Sequence, residues 1–332
     1  MSPSITIQPP LSRRGHGPGL IILVEAGLNL AKHDKILDPP PAQKWAEEGY
    51  AVAQVVVAPG LANIPNDITS AIAQLKALES CDDKDKFGVI AFLADERRVV
   101  ADALESHSEI KAAVFFNFAQ TLSIPTLSHA SGADGGGTKP AAPSKTYHYP
   151  SAGDFFTIPS HGNFNANAAG LAHTRTLTFL KPILGGPYFD LEAVWEEHTL
   201  FEFGERNVDK TMATMVEQPY CTHDKVIDWL LPGVPPTGKH LSIPFTSVVN
   251  VRGDHLHHEH IAWDQATALR QLGLLPDYLP FPYQINGSGP SSGKKFEYRL
   301  PVAGVESTHK LVDEGAVESN AMFEYGTREV DA

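Results

Sequence analysis

The chain has 332 residues, 42% hydrophobic and 20% charged, with 27 glycines and 26 prolines, a globular mix sized for one large domain or two. Its 39 acidic residues exceed the 26 basic ones, giving a formal charge of −13, and no basic cluster is longer than Arg13-Arg14 or Lys294-Lys295, which argues against a nucleic-acid footprint. No apolar run approaches the roughly 20 residues of a membrane span, and the opening MSPSITIQPPLSRR lacks the apolar stretch of a signal peptide. Two cysteines, Cys81 and Cys221, cannot build a disulfide framework or a cysteine metal cluster. The expectation is a cytoplasmic protein acting on a small-molecule metabolite, with no nucleic acid and no membrane as partner. Its 15 histidines are the compositional excess to explain.

Short apolar runs alternate with amphipathic stretches through the first half. Gly19–Ala26 reads as a strand, Ala42–Glu48 as a short helix opened by Pro39-Pro40-Pro41, and Tyr50–Ala58 as the next strand. Apolar residues at Ile68, Ile72, Leu75 and Leu78 predict a helix over Asn66–Leu78. Phe87–Leu93 is a third strand, Asp95–Ser106 a helix and Ala112–Phe116 a fourth strand. Continuous apolar strands separated by helices predict a parallel sheet covered on both faces. Residues 131–146 read as a glycine- and proline-rich loop, followed by a strand at Thr146–Tyr149 and a helix across Ala166–Leu180. Pro182 and Gly185-Gly186-Pro187 then punctuate the chain, so the first domain is expected over 1–186.

The second half reads as α+β, expected over 187–280. Leu191–Phe203 and Asp209–Val216 are helical, and strands follow at Leu241–Val251 and His255–Trp263 about an Arg252-Gly253-Asp254 turn. Asp264 is placed to cap a helix over Gln265–Leu272 that ends at Gly273. Beyond Pro280 the chain reads as a loop-rich tail, 281–332, with one helix at Val305–Asp313.

The strand Gly88–Phe92, the Glu48–Val57 segment and Glu25 together resemble the dienelactone hydrolase family of α/β-hydrolases. That family's elbow reads glycine, any residue, cysteine, any residue, glycine, glycine. The equivalent stretch here is Ala91-Phe92-Leu93-Ala94-Asp95-Glu96, with leucine where the nucleophile belongs. The family's histidine position falls on Asp154, with His161 seven residues on. Asp134 stands near the family's acid, and Glu25 matches the residue that partners the cysteine. The resemblance therefore implies the fold without the chemistry.

Thr222–Lys239, the strand ending His258-Glu259-His260-Ile261-Ala262-Trp263-Asp264, and Leu272–Leu275 resemble the SnoaL-like polyketide cyclases of the NTF2-like superfamily. The whole then resembles fungal two-domain proteins of the dienelactone hydrolase family. What this implies is cofactor-independent acid–base chemistry (cyclisation, isomerisation or dehydration) in a cone-shaped pocket, with no cofactor and no metal. Asp264 would be the base and His260 or His258 its partner, with His223 and Asp224 contributed by a neighbouring strand. Strand alternation puts His258, His260 and Asp264 on one face, and helix capping is the structural alternative for Asp264. Only Glu217–Cys221 separates Val216 from Thr222, too little chain for the family's missing strands, so either the domain is a reduced cone or a coding segment has been lost at this point. Unpaired strand edges would invite dimerisation or aggregation, and the resemblance implies a homodimer through the sheet as one such pairing. The alternatives are a non-catalytic binding protein and a lactone or ester hydrolase.

Overall fold

The computed structural model describes residues 4–33, 36–57, 63–94, 98–133, 144–216, 231–318 and 324–332. The chain divides into two compact units, one of Met1–Tyr220 with Asn250–His257, the other of Cys221–Val249 with His258–Ala332. No described helix is long and apolar enough to cross a membrane.

The first unit is mixed α/β. Its strands are β1 (Ser4–Gln8), β2 (Gly19–Glu25), β3 (Ala51–Val57), β4 (Phe87–Phe92), β5 (Ile110–Asn117), β6 (Thr126–Ser131) and β7 (Ser144–Tyr149). They form one sheet in the order β1-β3-β2-β4-β5-β6-β7, parallel throughout except for β1, which runs antiparallel along β3. The expected central strands are present because their apolar runs are buried on both faces. Ile21 and Leu23 of β2, Val89 and Ala91 of β4 and Phe115 of β5 pack under helices α2 (Ile64–Ala77) and α3 (Arg98–Glu105). Alternate residues, among them Leu20, Ile22, Phe92, Val114 and Phe116, pack on the other face with α1 (Pro41–Glu47) and α4 (Ala166–Leu184).

The sequence reading omits β1 and β6. SITIQ is a short edge strand, and TLSHAS carries serine and histidine where apolar residues are expected. Those polar groups are buried but bonded: Ser128 Oγ accepts from Gln120 N at 3.0 Å, and His129 bonds Tyr149 and Thr176. Helix α4 runs past Pro182 to Leu184 and ends on Gly185 in the left-handed region, capped at its start by Asn165. The helix expected over Leu191–Phe203 is α5 (Leu191–Thr199) followed by a π-turn, Leu200–Gly204, with Glu205 N bonded to Leu200 O at 2.7 Å. A further short helix, α6, covers Val208–Ala213.

Strands β8 (Phe245–Arg252) and β9 (His255–Trp263) form a hairpin closed by Gly253-Asp254, with Gly253 at φ +59°. Its tip, Asn250–His257, belongs to the first unit. In the second unit Asp264 caps α7 (Gln265–Leu272) and Gly273 closes it at φ +77°, as the sequence predicts. The stretch read as a loop-rich tail supplies β11 (Lys294–Arg299) and β12 (Thr327–Asp331) to a three-stranded antiparallel sheet whose first strand, β10 (Tyr278–Phe281), lies at the end of the preceding segment, and it also holds helix α8 (Glu306–Val312). Charged residues such as Lys294, Glu297, Arg328 and Glu329 fill its strands and conceal them from a hydrophobicity reading. Arg328 binds Glu297 at 2.8 Å and lies over the Tyr278 ring.

Candidate functional site

The carboxyl ends of parallel strands are where open α/β sheets place their ligands. Here β2, β4, β5 and β6 end at Glu25, Phe92, Asn117 and Ser131. Leu93 follows β4 and continues its alternation into the cluster under α2 and α3, with only 3% of its surface exposed. A nucleophile elbow requires a sharply strained residue. Among described non-glycine residues, positive φ occurs at Asn117, Phe155, Arg206 and Asn286, so Leu93 carries no such strain.

The polar groups around Leu93 are committed to one another. Glu25 Oε2 accepts from Ala94 N at 2.8 Å. Asn117, at φ +82°, donates Nδ2–H to Leu93 O and accepts from Phe155 N, both at 2.6 Å. Phe155 sits at φ +60°, so two left-handed residues are tied together above the sheet. Ser131 Oγ donates to Asp154 Oδ1 and lies 3.2 Å from Asn117 O. His161 Nδ1 accepts from Asn163 N at 3.2 Å, and its ring is 5.3 Å from that of Phe155. Asp134, Asp95 and Glu96 lie outside the described residues.

A second cluster lies on the α1/α4 face of the same unit. Lys44 Nζ reaches Asp38 Oδ2 at 2.6 Å, and the Arg252 guanidinium bridges Asp38 Oδ1 at 2.9 Å and Glu47 Oε2 at 2.8 Å. Glu48 Oε1 lies 2.7 Å from His173 Nε2, and His257 Nε2 is 3.0 Å from Leu37 O. Burial would raise the Asp38 carboxyl, but Lys44 and Arg252 together hold it below the usual carboxylate range. Burial likewise opposes ionisation of Glu48, yet its His173 contact holds it low. Burial pushes the Lys44 ammonium down, with Asp38 opposing it. His173 is pushed down by burial and by Lys44, so it is neutral near pH 7 and donates Nε2–H to Glu48.

Against this cluster lies a small cavity. Its walls include the rings of Trp45, Phe92 and Phe116, together with Lys44, His173 and Thr157. Trp45 packs on His173 with ring centroids 4.7 Å apart. Sequence reasoning does not find this constellation: the triple proline at 39–41 marks only a helix start, and Asp38, Lys44, His173 and Arg252 lie too far apart to form a motif.

In the second unit His258 and His260 come together, ring centroids 4.9 Å apart. Asp264 has both carboxylate oxygens engaged within its own helix start: Oδ1 accepts from Ala266 N at 3.0 Å and Oδ2 from Thr267 Oγ1 at 2.7 Å. His223 and Asp224, the other expected site residues, lie outside the described residues.

No family model and no curated protein sequence matches the chain. Solved structures similar to it include a putative dienelactone hydrolase from Klebsiella pneumoniae, at 16% identity and TM-score 0.35, covering 53% of this chain and 98% of that one. A dienelactone hydrolase-like promiscuous phosphotriesterase from metagenomic libraries is similar at 16% identity and TM-score 0.37, covering 54% and 98%. Thermogutta terrifontis esterase 2 is similar at 14% identity and TM-score 0.35, covering 55% and 91%. Likeness at this level says nothing of catalytic residues or substrate. By its own topology the first unit is mixed α/β, a predominantly parallel sheet with helices on both faces.

Proposed function

We propose that the protein is a non-hydrolytic, small-molecule-binding protein built on an α/β-hydrolase-like unit. The observation that carries this reading is the bond from Ala94 N to Glu25 Oε2. In a nucleophile elbow, the N–H of the residue after the nucleophile stabilises the oxyanion. Here that N–H is spent on a carboxylate, whose charge opposes an oxyanion in the same place, and the preceding side chain is a leucine. Both oxygens of Asp264 serve a helix cap, which counts against acid–base cyclisation from that residue.

A second reading, hydrolysis, is favoured by one contact, the Ser131 hydroxyl against Asp154. A single experiment separates the two. The full chain is incubated with 4-nitrophenyl acetate and, separately, with a fluorophosphonate probe. The binding reading expects ester cleavage at the buffer rate and no label. Turnover with stoichiometric labelling of Ser131 would establish the hydrolytic reading and end the first. Leu93→Cys is expected to leave cleavage at background, because among the described residues no base is bonded to that position.

A further inference from the structure

The junction of α5 with its π-turn uses none of the side chains at the sheet ends or around Arg252. His198, on α5, keeps 4% of its side chain exposed. Its Nδ1 lies 2.6 Å from Thr214 Oγ1. Thr214 has one hydroxyl proton, and that proton goes to Thr211 O at 2.6 Å. The hydroxyl oxygen therefore accepts from Nδ1–H, and the neutral ring carries its lone pair on Nε2. Backbone bonds hold this arrangement in place: Leu256 N donates to Thr214 O and Val216 N to Leu256 O, both at 2.9 Å.

Nε2 faces Glu202 Oε2 at 3.2 Å, four residues on and inside the π-turn. Two electron-rich atoms, one of them charged, repel at that distance unless a cation sits between them. A proton would serve only by pointing from Nε2 at the oxygen, yet Oε2 is buried and has no hydrogen-bond partner among the described residues. A buried carboxylate oxygen left unsatisfied is costly. A metal ion meets the same two atoms differently. Two ligands about 2.0–2.1 Å from one tetrahedral ion lie about 3.3 Å apart, and the ion stands off the line that joins them.

The donor set narrows the ion. One imidazole nitrogen with one carboxylate suits zinc and its neighbours, whereas calcium and magnesium take oxygen alone and copper(I) takes sulfur. Residues 190–210 carry seven carboxylates against two basic side chains, Arg206 and Lys210, so a dication is favoured by charge. The Nδ1–H bond to Thr214 is the outer contact that orients a ligating histidine. Glu202 keeps 35% of its side chain exposed, which lets water fill the positions the protein leaves open. π-Turns are rare and concentrate at functional sites, and this one carries Glu202. We propose that His198 Nε2 and the Glu202 carboxylate hold a divalent ion of the zinc type, completed by water.

The test uses the full chain, dialysed free of metal and titrated with zinc chloride by calorimetry. Wild type is expected to bind zinc, and Glu202→Gln to weaken the tightest equivalent at least tenfold. His260→Ala, which removes an exposed histidine outside the site, is expected to leave that equivalent unchanged. No binding by wild type, a weakening of less than tenfold in Glu202→Gln, or an equal loss in His260→Ala overturns the proposal. Hydrogen exchange of the wild-type chain with and without zinc decides the matter even if a variant does not fold. Zinc is expected to slow exchange over 195–205 and 211–216, and protection confined to other segments overturns the assignment.

Discussion

Replacing Arg252 by methionine tests whether the buried charge cluster holds the first unit together. The substitution keeps much of the side chain's apolar bulk and removes two ionic contacts, at 2.8 Å to Glu47 and 2.9 Å to Asp38. Breaking one member out of a buried ion pair costs about 3–5 kcal/mol, because the partner is left charged without compensation. Both partners here keep one bond: Glu47 from Gln43 Nε2 at 2.9 Å, Asp38 from Lys44 at 2.6 Å. The loss should therefore lie at the lower end, about 3 kcal/mol. With an m-value of about 3 kcal/mol/M, the urea midpoint should drop by about 1 M, read by the fluorescence of Trp45 beside the cluster. Acid supplies the sign. The folded-state pKa of Asp38 lies below its ordinary value, so its contribution is fully present above the unfolded pKa and is lost as pH falls through the folded one. The deficit of Arg252→Met relative to wild type should thus shrink towards pH 3. A loss below about 1 kcal/mol at pH 7, or a deficit unchanged by acid, refutes the reasoning.

His129 is buried and its pKa is pushed down to about 3 by burial and by Arg175, so the unfolded chain binds a proton that the folded one refuses between pH 6.5 and about 3. Stability should fall by roughly 1 kcal/mol per pH unit across that window, and His129→Gln should flatten the acid limb of a pH-dependent urea titration. Tyr50 is completely buried and its hydroxyl finds no partner among the described residues, so Tyr50→Phe should be neutral or stabilising by up to about 1 kcal/mol in the same assay. Asp264→Ala should cost about 1 kcal/mol through loss of the α7 cap, seen as a lower thermal midpoint. If Asp264→Asn, which keeps most of the cap, instead abolished turnover of a polyketide-like substrate, the capping account would be insufficient.

The parallel core was legible because β2 to β5 are buried on both faces, and Leu20, Val89 or Val114 have nowhere polar to point. Strand β6 was hidden by the opposite circumstance. Ser128 and His129 look like surface residues until Gln120, Tyr149 and Thr176 are seen to satisfy them, and no local pattern reports partners 20 and 47 positions away. Strands β11 and β12 were missed because a sheet of alternating charges offers no contrast between an inner and an outer face. At the candidate site, the loss of a nucleophile could be read directly from Leu93. The use of Glu25 to occupy the neighbouring N–H could not, since it depends on how two strand ends are spaced. The charge cluster was equally invisible. Asp38 and Lys44 look like ordinary surface charges, and only the fold brings Arg252 to them.

That arrangement has a consequence for synthesis. Glu47 and Arg252 stand 205 positions apart, so at 5–20 residues per second Glu47 waits about 10–40 s for its guanidinium partner to be made. Until the hairpin tip emerges from the ribosome, the nascent first unit carries Glu47 without its guanidinium partner and Asp38 with Lys44 alone. Stop codons or ribosomal stalls anywhere between positions 220 and 252 would release a chain whose sheet is fully encoded but whose α1 face is electrostatically incomplete. The order of translation, as well as the final packing, therefore determines when this unit becomes stable.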